Sequence, residues 1–582
     1  MVHKPALLSK LQRLGIKGHL AHYLFNFLSQ NRRFQVKHRS IFSTYHELEN
    51  GLPQGSCLSP TLFNIMIDDL FDGIPSDISF SLFADDSAIW CTSRDPDIGV
   101  QRLQGALNVI ERWSRTNGLE FSAPKSAFMI FTKNNRLELT HHPQLNDVPI
   151  PLVSSFKFLG VILDRRLSMT HHIRHIQIKC KKRLNLFRCL TGAASGADRS
   201  TLLRLYKAIV LPIIEYGSVV YAGGSRTNLL KLEAVQNNFI RLALGAMRTS
   251  PIHSLQVEAH ILPLHIRRIE LTLRYYTKIK QHPAHAAYAS TSVLPRLHFS
   301  YLGRCERRTG LTIASRVKKY QDDIGYVLPS ITPLPQFFIS PWTARPLSTS
   351  FLLANKKHTF SADEIQQTFL EYQAAFPHFQ FVFTDGSKLN NTVGVGIFAS
   401  TLPETKLRLQ NDLTVHYAEL YGISHALQLV KQHNIQKACI CSDSKSAILS
   451  LQRPDITQHI HLKILDIHQQ LIEREAEIRF LWVPGHSGIS GNETADRFAK
   501  QALALQHITE TPYDYCSIRA SITYHCYRYW QRIWDIDGAG TQLHIIKPLI
   551  SNWSSSNRHS RKEEKATIIL GYFNFSSLFS FK

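Results

Sequence analysis

The run Phe379-Gln380-Phe381-Val382-Phe383-Thr384-Asp385-Gly386-Ser387 decides the reading of the C-terminal half of this chain. Its aromatic residues recur at every second position, the period of a β-strand, so Phe379, Phe381 and Phe383 share one face. Asp385 continues that row and places an acid where the apolar face ends. Outward from this run, strands are predicted over 379–384, 393–398 and 407–410, and a helix over 414–433. A strand over 437–442, two helices, a strand over 477–483 and a helix over 493–505 follow. Strands leading into βαβα units predict an α/β domain with a mixed sheet.

Three further acids stand at comparable places. In the 414–433 helix Val415, Ala418, Gly422, Ile423, Ala426 and Val430 form a buried stripe, and Glu419 lies within it. Burying a lone carboxylate costs on the order of several kcal/mol unless a cation or donor meets it. Asp443 ends the apolar strand Ala438-Cys439-Ile440-Cys441-Ser442, and Asp496 falls in the first turn of the last helix, after the loop Pro484-Gly485-His486-Ser487-Gly488. Taken singly, Asp385 fits a turn, Asp443 an N-cap and Asp496 a dipole-complementing helix acid. Together, four acids at strand ends and on one helix face suit a hard cation such as Mg²⁺, which takes oxygen ligands. Two such ions side by side suit phosphodiester hydrolysis.

The strings Phe383-Thr384-Asp385-Gly386-Ser387, Ala418-Glu419-Leu420, Ser442-Asp443-Ser444, Trp482-Val483-Pro484-Gly485-His486-Ser487-Gly488 and Gly491-Asn492-Glu493-Thr494-Ala495-Asp496 together resemble type 1 ribonuclease H, over roughly residues 379 to 505. The resemblance implies a mixed β-sheet flanked by helices, and cleavage of the RNA strand of an RNA/DNA hybrid. It implies Asp385, Glu419, Asp443 and Asp496 as ligands of two Mg²⁺ ions, with Mn²⁺ as a substitute, and His486 as an aid to proton transfer or product release. Gly386, Ser387 and Asn492 are expected to meet nucleic acid. The 2′-hydroxyl is the handle that marks the strand to be cut.

The N-terminal half carries a second set. Phe80 to Trp90 reads as two apolar runs divided by Asp85 and Asp86, a hairpin with acids at its tip. Upstream stand Gly51-Leu52-Pro53-Gln54-Gly55-Ser56 and Leu58-Ser59-Pro60-Thr61-Leu62-Phe63-Asn64; downstream stand Gly118-Leu119, Lys125-Ser126 and Phe158-Leu159-Gly160-Val161. In that order they resemble the palm of a reverse transcriptase from a non-LTR, LINE-like (jockey/I-type) retrotransposon, over roughly residues 2 to 280, with a helical thumb after the palm. The resemblance implies Asp85 and Asp86 as paired catalytic acids and a Pro53-Gln54-Gly55 loop that meets template and incoming nucleotide. A polymerase of this kind needs a further carboxylate from an earlier strand. No aspartate precedes Asp68, and Val2-His3-Lys4-Pro5 looks like the sequence that follows the family's first acidic motif. The expectation is a truncated palm that binds primer–template nucleic acid and does not itself synthesise DNA. Two other outcomes stay open at this level, a catalytically silent nucleic-acid-binding relic and a fragment of an active RNA-directed DNA polymerase.

The whole chain of 582 residues carries 67 Lys+Arg against 44 Asp+Glu, a formal charge of +23 that favours a polyanionic partner. Nine scattered cysteines without metal-site spacing fit a reduced, intracellular setting. The most apolar later stretch, Ala208 to Tyr221, contains Pro212 and Glu215 and is too short to span a bilayer, so a soluble protein without membrane association is expected. The expected organisation is an α/β and α+β multidomain chain. It comprises a partial palm over 1–175, a helical thumb or connection over 176–282, a linker over 283–375, the RNase H domain over 376–508 and a tail over 509–582. In the tail Tyr527, Tyr529, Trp530 and Trp534 are expected to pack on the RNase H domain or to stack on bases, and 573–582 to lack order.

Overall fold

The computed structural model describes residues 2–29, 33–47, 50–134, 139–192, 196–294, 312–334, 347–353, 360–452, 458–552 and 563. It divides into two compact units, Met1–Arg174 and His175–Lys582.

In the first unit, strand Ser79–Phe83 pairs antiparallel with Asp86–Trp90, and Phe83 lies opposite Asp86. The connection is therefore Ala84-Asp85, with Ala84 in the left-handed region at φ 51°. Leu82 and Ile89 of this hairpin pack against Leu70, Phe71 and Ile110, the last from the helix Pro96–Asn117. A neighbouring core joins Leu7, Leu11, Leu24 and Leu28 to Leu62 and Met66.

The second unit opens with helices, among them Arg199–Ile209, Arg226–Leu244 and α1 (Leu264–Lys280). Helix α2 (Ile313–Ile324) follows. The sheet is built from β1 (Ser348–Phe351), β2 (Gln380–Leu389), β3 (Thr392–Phe398), β4 (Thr405–Leu409), β5 (Lys437–Ser442), β6 (Glu477–Trp482) and β7 (Ile508–Thr509), in the spatial order β1-β6-β5-β2-β3-β4-β7. β2, β3 and β4 run antiparallel to their neighbours in turn, whereas β2–β5, β5–β6, β6–β1 and β4–β7 are parallel. The mixed sheet is as expected.

Both faces are covered. On one, Val382, Val395, Ile397, Ile440 and Phe480 pack with Ile423, Leu427 and Val430 of α4 (Val415–Gln432) and with Ile464 and Ile467. Those last two belong to α6 (His459–Glu473), which follows the short α5 (Lys445–Leu451). On the other face Phe383, Cys441 and Leu481 meet Ile365 and Phe369 of α3 (Ala362–Ala375) and Ala495 of α7 (Ser490–Ala502).

Two expectations are corrected. The segment 283–375 is not simply a linker: β1 extends the sheet beside β6, and α3 seats Phe369 against Phe381 and Phe383 at ring distances of 5.8 Å. The row of phenylalanines needed a cover that the strand itself does not name. The cover was readable, since Ile365, Phe369 and Tyr372 fall at helical spacing behind Ser361-x-x-Glu364, which forms a capping box. The second correction concerns the tail. Trp530 and Trp534 of α8 (Tyr515–Asp537) are buried, but among Val257, Ile266, Ile269, Leu273 and Val317, so α8 packs mainly on α1 and α2. The reason is area: two indoles find a large apolar surface on the helical segment, whereas the sheet's two faces are already filled. The expectation for 573–582 lies outside the described residues. Among those described, no helix is long and apolar enough to cross a membrane.

Candidate active site

The parallel pairing of β2 with β5 sets Thr384 beside Ser442. One residue further on, Asp385 and Asp443 stand at the ends of adjacent strands. Helix α4 crosses the same end, and Gly386 is what lets it come close: a Cβ there would lie 2.9 Å from the Glu419 nitrogen. One carboxylate oxygen each from Asp385, Glu419 and Asp443 thus lies within 4.8 Å of the others. Asp385 and Glu419 are 6% and 5% exposed, which makes the electrostatic conflict severe.

Burial pushes the Asp385 carboxyl up to about 7, helped by the charges of Asp443 and Asp496. Glu419 is raised well above its ordinary range by burial and then by Asp385 and Asp443, against the Gly386 N–H and the Ser442 hydroxyl, which lies 3.4 Å from Glu419 Oε2. Asp443 is also raised, mainly by burial; a hydrogen bond from Asn492 and the nearby His486 pull the other way. Asn492 is buried, and its Oδ1 has no hydrogen-bond partner.

Asp496 stands outside the tight group of three. Its Oδ2 accepts from Lys500 Nζ at 2.7 Å, one helical turn on. His486 is exposed on the loop before α7, with φ 51°, and the loop is held by the Gly488 N–H donating to Glu493 Oε1 at 3.1 Å. Gly386 and Ser387 continue β2 at the rim of the cluster, half-buried.

The donor set is carboxylate oxygen throughout, the side chains repel one another, and one buried amide oxygen nearby is unsatisfied. Such a set fits a hard divalent cation and not a soft, thiolate-seeking metal. Sequence reasoning did not single out Lys500, Ser442 as a donor to Glu419, or Lys445, whose Nζ lies 4.9 Å from the Trp482 ring centroid beside Asp443. The i,i+4 spacing of Asp496 and Lys500 was the available signal.

In the first unit Asp85 and Asp86 are exposed at the hairpin tip. Pro53 accepts from the Ser56 N–H at 3.3 Å and from the Ser59 hydroxyl at 2.6 Å, which shapes the Pro53-Gln54-Gly55 turn, with Gly55 at φ 91°. Among the described residues, Asp85 and Asp86 belong to no group of three potential metal ligands.

A buried acid cluster at the ends of two parallel strands, in a mixed sheet with helices on both faces, defines an RNase H-like fold. Residues 378–504 match the family described as RNase H, and residues 2–163 match that described as reverse transcriptase (RNA-dependent DNA polymerase), so the chain carries a domain of each. It is 29% identical over 251 residues to a probable RNA-directed DNA polymerase from transposon X-element of Drosophila melanogaster, covering 41% of this chain and 27% of that protein. It is 26% identical over 291 residues to the RNA-directed DNA polymerase from mobile element jockey of Drosophila funebris, covering 48% of this chain and 31% of the relative. The chain thus spans less than a third of either relative's length. Among solved structures, the N-terminal RNase H domain of a Mycobacterium tuberculosis protein, fused to maltose-binding protein, is 24% identical, with 21% of this chain and 98% of that chain covered and a TM-score of 0.18.

Proposed function

We propose that the domain over 376–508, extended by β1 and α3, is an endonuclease that hydrolyses the RNA strand of RNA/DNA hybrids with two divalent cations, Mg²⁺ or Mn²⁺. The observation that carries this reading is the approach of Asp385, Glu419 and Asp443 oxygens to within 4.8 Å in a domain of the RNase H family. Asp385, Glu419 and Asp443 would hold the cations, with Asp496, paired to Lys500, as the further acid of the set. When bound, such cations polarise the scissile phosphate and lower the pKa of a nucleophilic water. Asn492 orients Asp443 through its hydrogen bond. His486, exposed on its loop, takes or delivers a proton at the leaving side, and the Gly386 and Ser387 backbone lies against the RNA strand. Cleavage of a labelled hybrid by the full chain in Mg²⁺ tests this. Asp443→Asn is expected to cut about a thousandfold more slowly; equal rates remove the assignment.

For the first unit we propose primer–template binding without synthesis by this polypeptide alone. The supporting observation is that Asp85 and Asp86 have no third ligand group beside them among the described residues.

A further inference from the structure

Helix α4, which presents Glu419, begins with an incomplete cap. Thr414 is its N-cap, and its hydroxyl accepts from the Tyr417 N–H at 3.2 Å. In a capping box the residue three places on is Glu or Gln, whose side chain accepts the N-cap's own N–H. Here that residue is Tyr417, which offers no such acceptor. The Thr414 N–H donates instead to Ser517 Oγ at 2.9 Å, and the two hydroxyl oxygens are 3.3 Å apart.

Ser517 is fully buried in the first turn of α8, where its own N–H is already capped by Asp514 at 3.2 Å. Its hydroxyl hydrogen-bonds the same Asp514 carboxylate, and its oxygen accepts from the α4 cap. The same helix holds the preceding loop: the Ser521 hydroxyl donates to Asp412 O at 3.4 Å. Further along, Thr523 Oγ1 lies 3.0 Å from Glu270 Oε1 and accepts from Arg274 at 2.7 Å, both on α1. Ile518, Ile522 and Trp530 pack with Ile266, Ile269 and Leu273. One helix, beyond the RNase H-matching segment that ends at 504, thus grips the first turn of α4 and the face of α1.

We propose that Ser517 is a positioning residue for Glu419: it completes the α4 cap from outside the domain and couples the cluster's cation affinity to the seating of α8 on α1. Glu419 follows Thr414 by five residues, about 7.5 Å of helix rise, so a frayed first turn displaces its carboxylate directly. This inference rests on the cation-binding part of the function proposed above.

The test is Mn²⁺ binding by paramagnetic resonance on the full chain without nucleic acid, for the parent, Ser517→Ala and Ser517→Thr. The alanine variant is expected to bind Mn²⁺ about tenfold more weakly, the worth of one buried hydrogen bond, and threonine to restore affinity within about twofold. Unchanged Mn²⁺ affinity in Ser517→Ala, or a loss that threonine does not restore, overturns the proposal. If the alanine variant does not fold, amide exchange in the parent decides: the Thr414 N–H is expected to be protected about a hundredfold or more, together with the α8 amides, and an unprotected Thr414 overturns it. A parent that binds Mn²⁺ at the cluster yet leaves hybrids uncut refutes the nuclease reading and leaves this one standing.

Discussion

Asp385 lies directly opposite Gly396 across the β2–β3 ladder, and a Cβ at position 396 would fall 2.1 Å from the Ala495 carbonyl oxygen. Helix α7 therefore rests its backbone on β3, with Gly394 in the same situation against Ala499 O at 2.3 Å. This contact brings Asp496 close enough for its charge to raise Asp385.

Gly396→Ala is accordingly expected to force α7 off the sheet. Overpacking of this kind costs roughly 1–3 kcal/mol, visible as a lower melting temperature, and it moves Asp496 away from the cluster. A variant as stable as the parent would show that α7 does not need this approach.

The pH dependence has a definite sign. Asp385 titrates near 7 in the fold against an ordinary value of 3.8, so the unfolded chain binds fewer protons between those values. Without metal, stability contributed by its neutral form is therefore complete below about pH 4 and falls away as the pH rises towards 7, by at most about 4 kcal/mol. Thermal unfolding of metal-free protein at pH 5 and pH 8 checks this, and Mg²⁺ is expected to close the gap at the higher pH. Greater metal-free stability at pH 8 contradicts it.

Asp443→Asn relieves the same repulsion. Metal-free protein carrying it is expected to melt above the parent at pH 8 while having lost cleavage. A lower melting temperature would mean that Asp443 is held by hydrogen bonds worth more than the repulsion it suffers.

Lys500 places a positive charge on Asp496 and next to Asp385. Lys500 is largely exposed and Asp496 half-buried, so the pair is worth about 1 kcal/mol or less. Lys500→Met is expected to lower the Mg²⁺ concentration at half-maximal cleavage by about two- to fivefold. A higher requirement would make Lys500 a partner of the substrate and not a competitor of the cation.

Primer extension by this polypeptide is expected not to exceed that of an Asp85→Asn, Asp86→Asn variant; incorporation by the parent alone would reverse the reading of the first unit.

Much of the site was legible because its signals are local. The two-residue alternation of Phe379 to Asp385 and the helical stripe around Glu419 each placed an acid at the edge of an apolar face, and the structure brings those two together with Asp443. What stayed hidden depends on pairing across long sequence separations. β1 joins β6 as a parallel edge strand, a partnership that four residues, Ser348–Phe351, cannot announce. The seating of Trp530 and Trp534 on α1 was likewise unreadable, since an amphipathic helix shows that it has a buried face and not which surface covers it. Asp496 was grouped with the other acids by motif, and only coordinates reveal that Lys500 engages it.

The most direct test is the location of a divalent cation. Crystals grown with Mn²⁺ are expected to show anomalous density about 2.2 Å from oxygens of Asp385, Glu419 and Asp443. Density bound elsewhere with this cluster empty, at millimolar Mn²⁺ and neutral pH, would contradict the account.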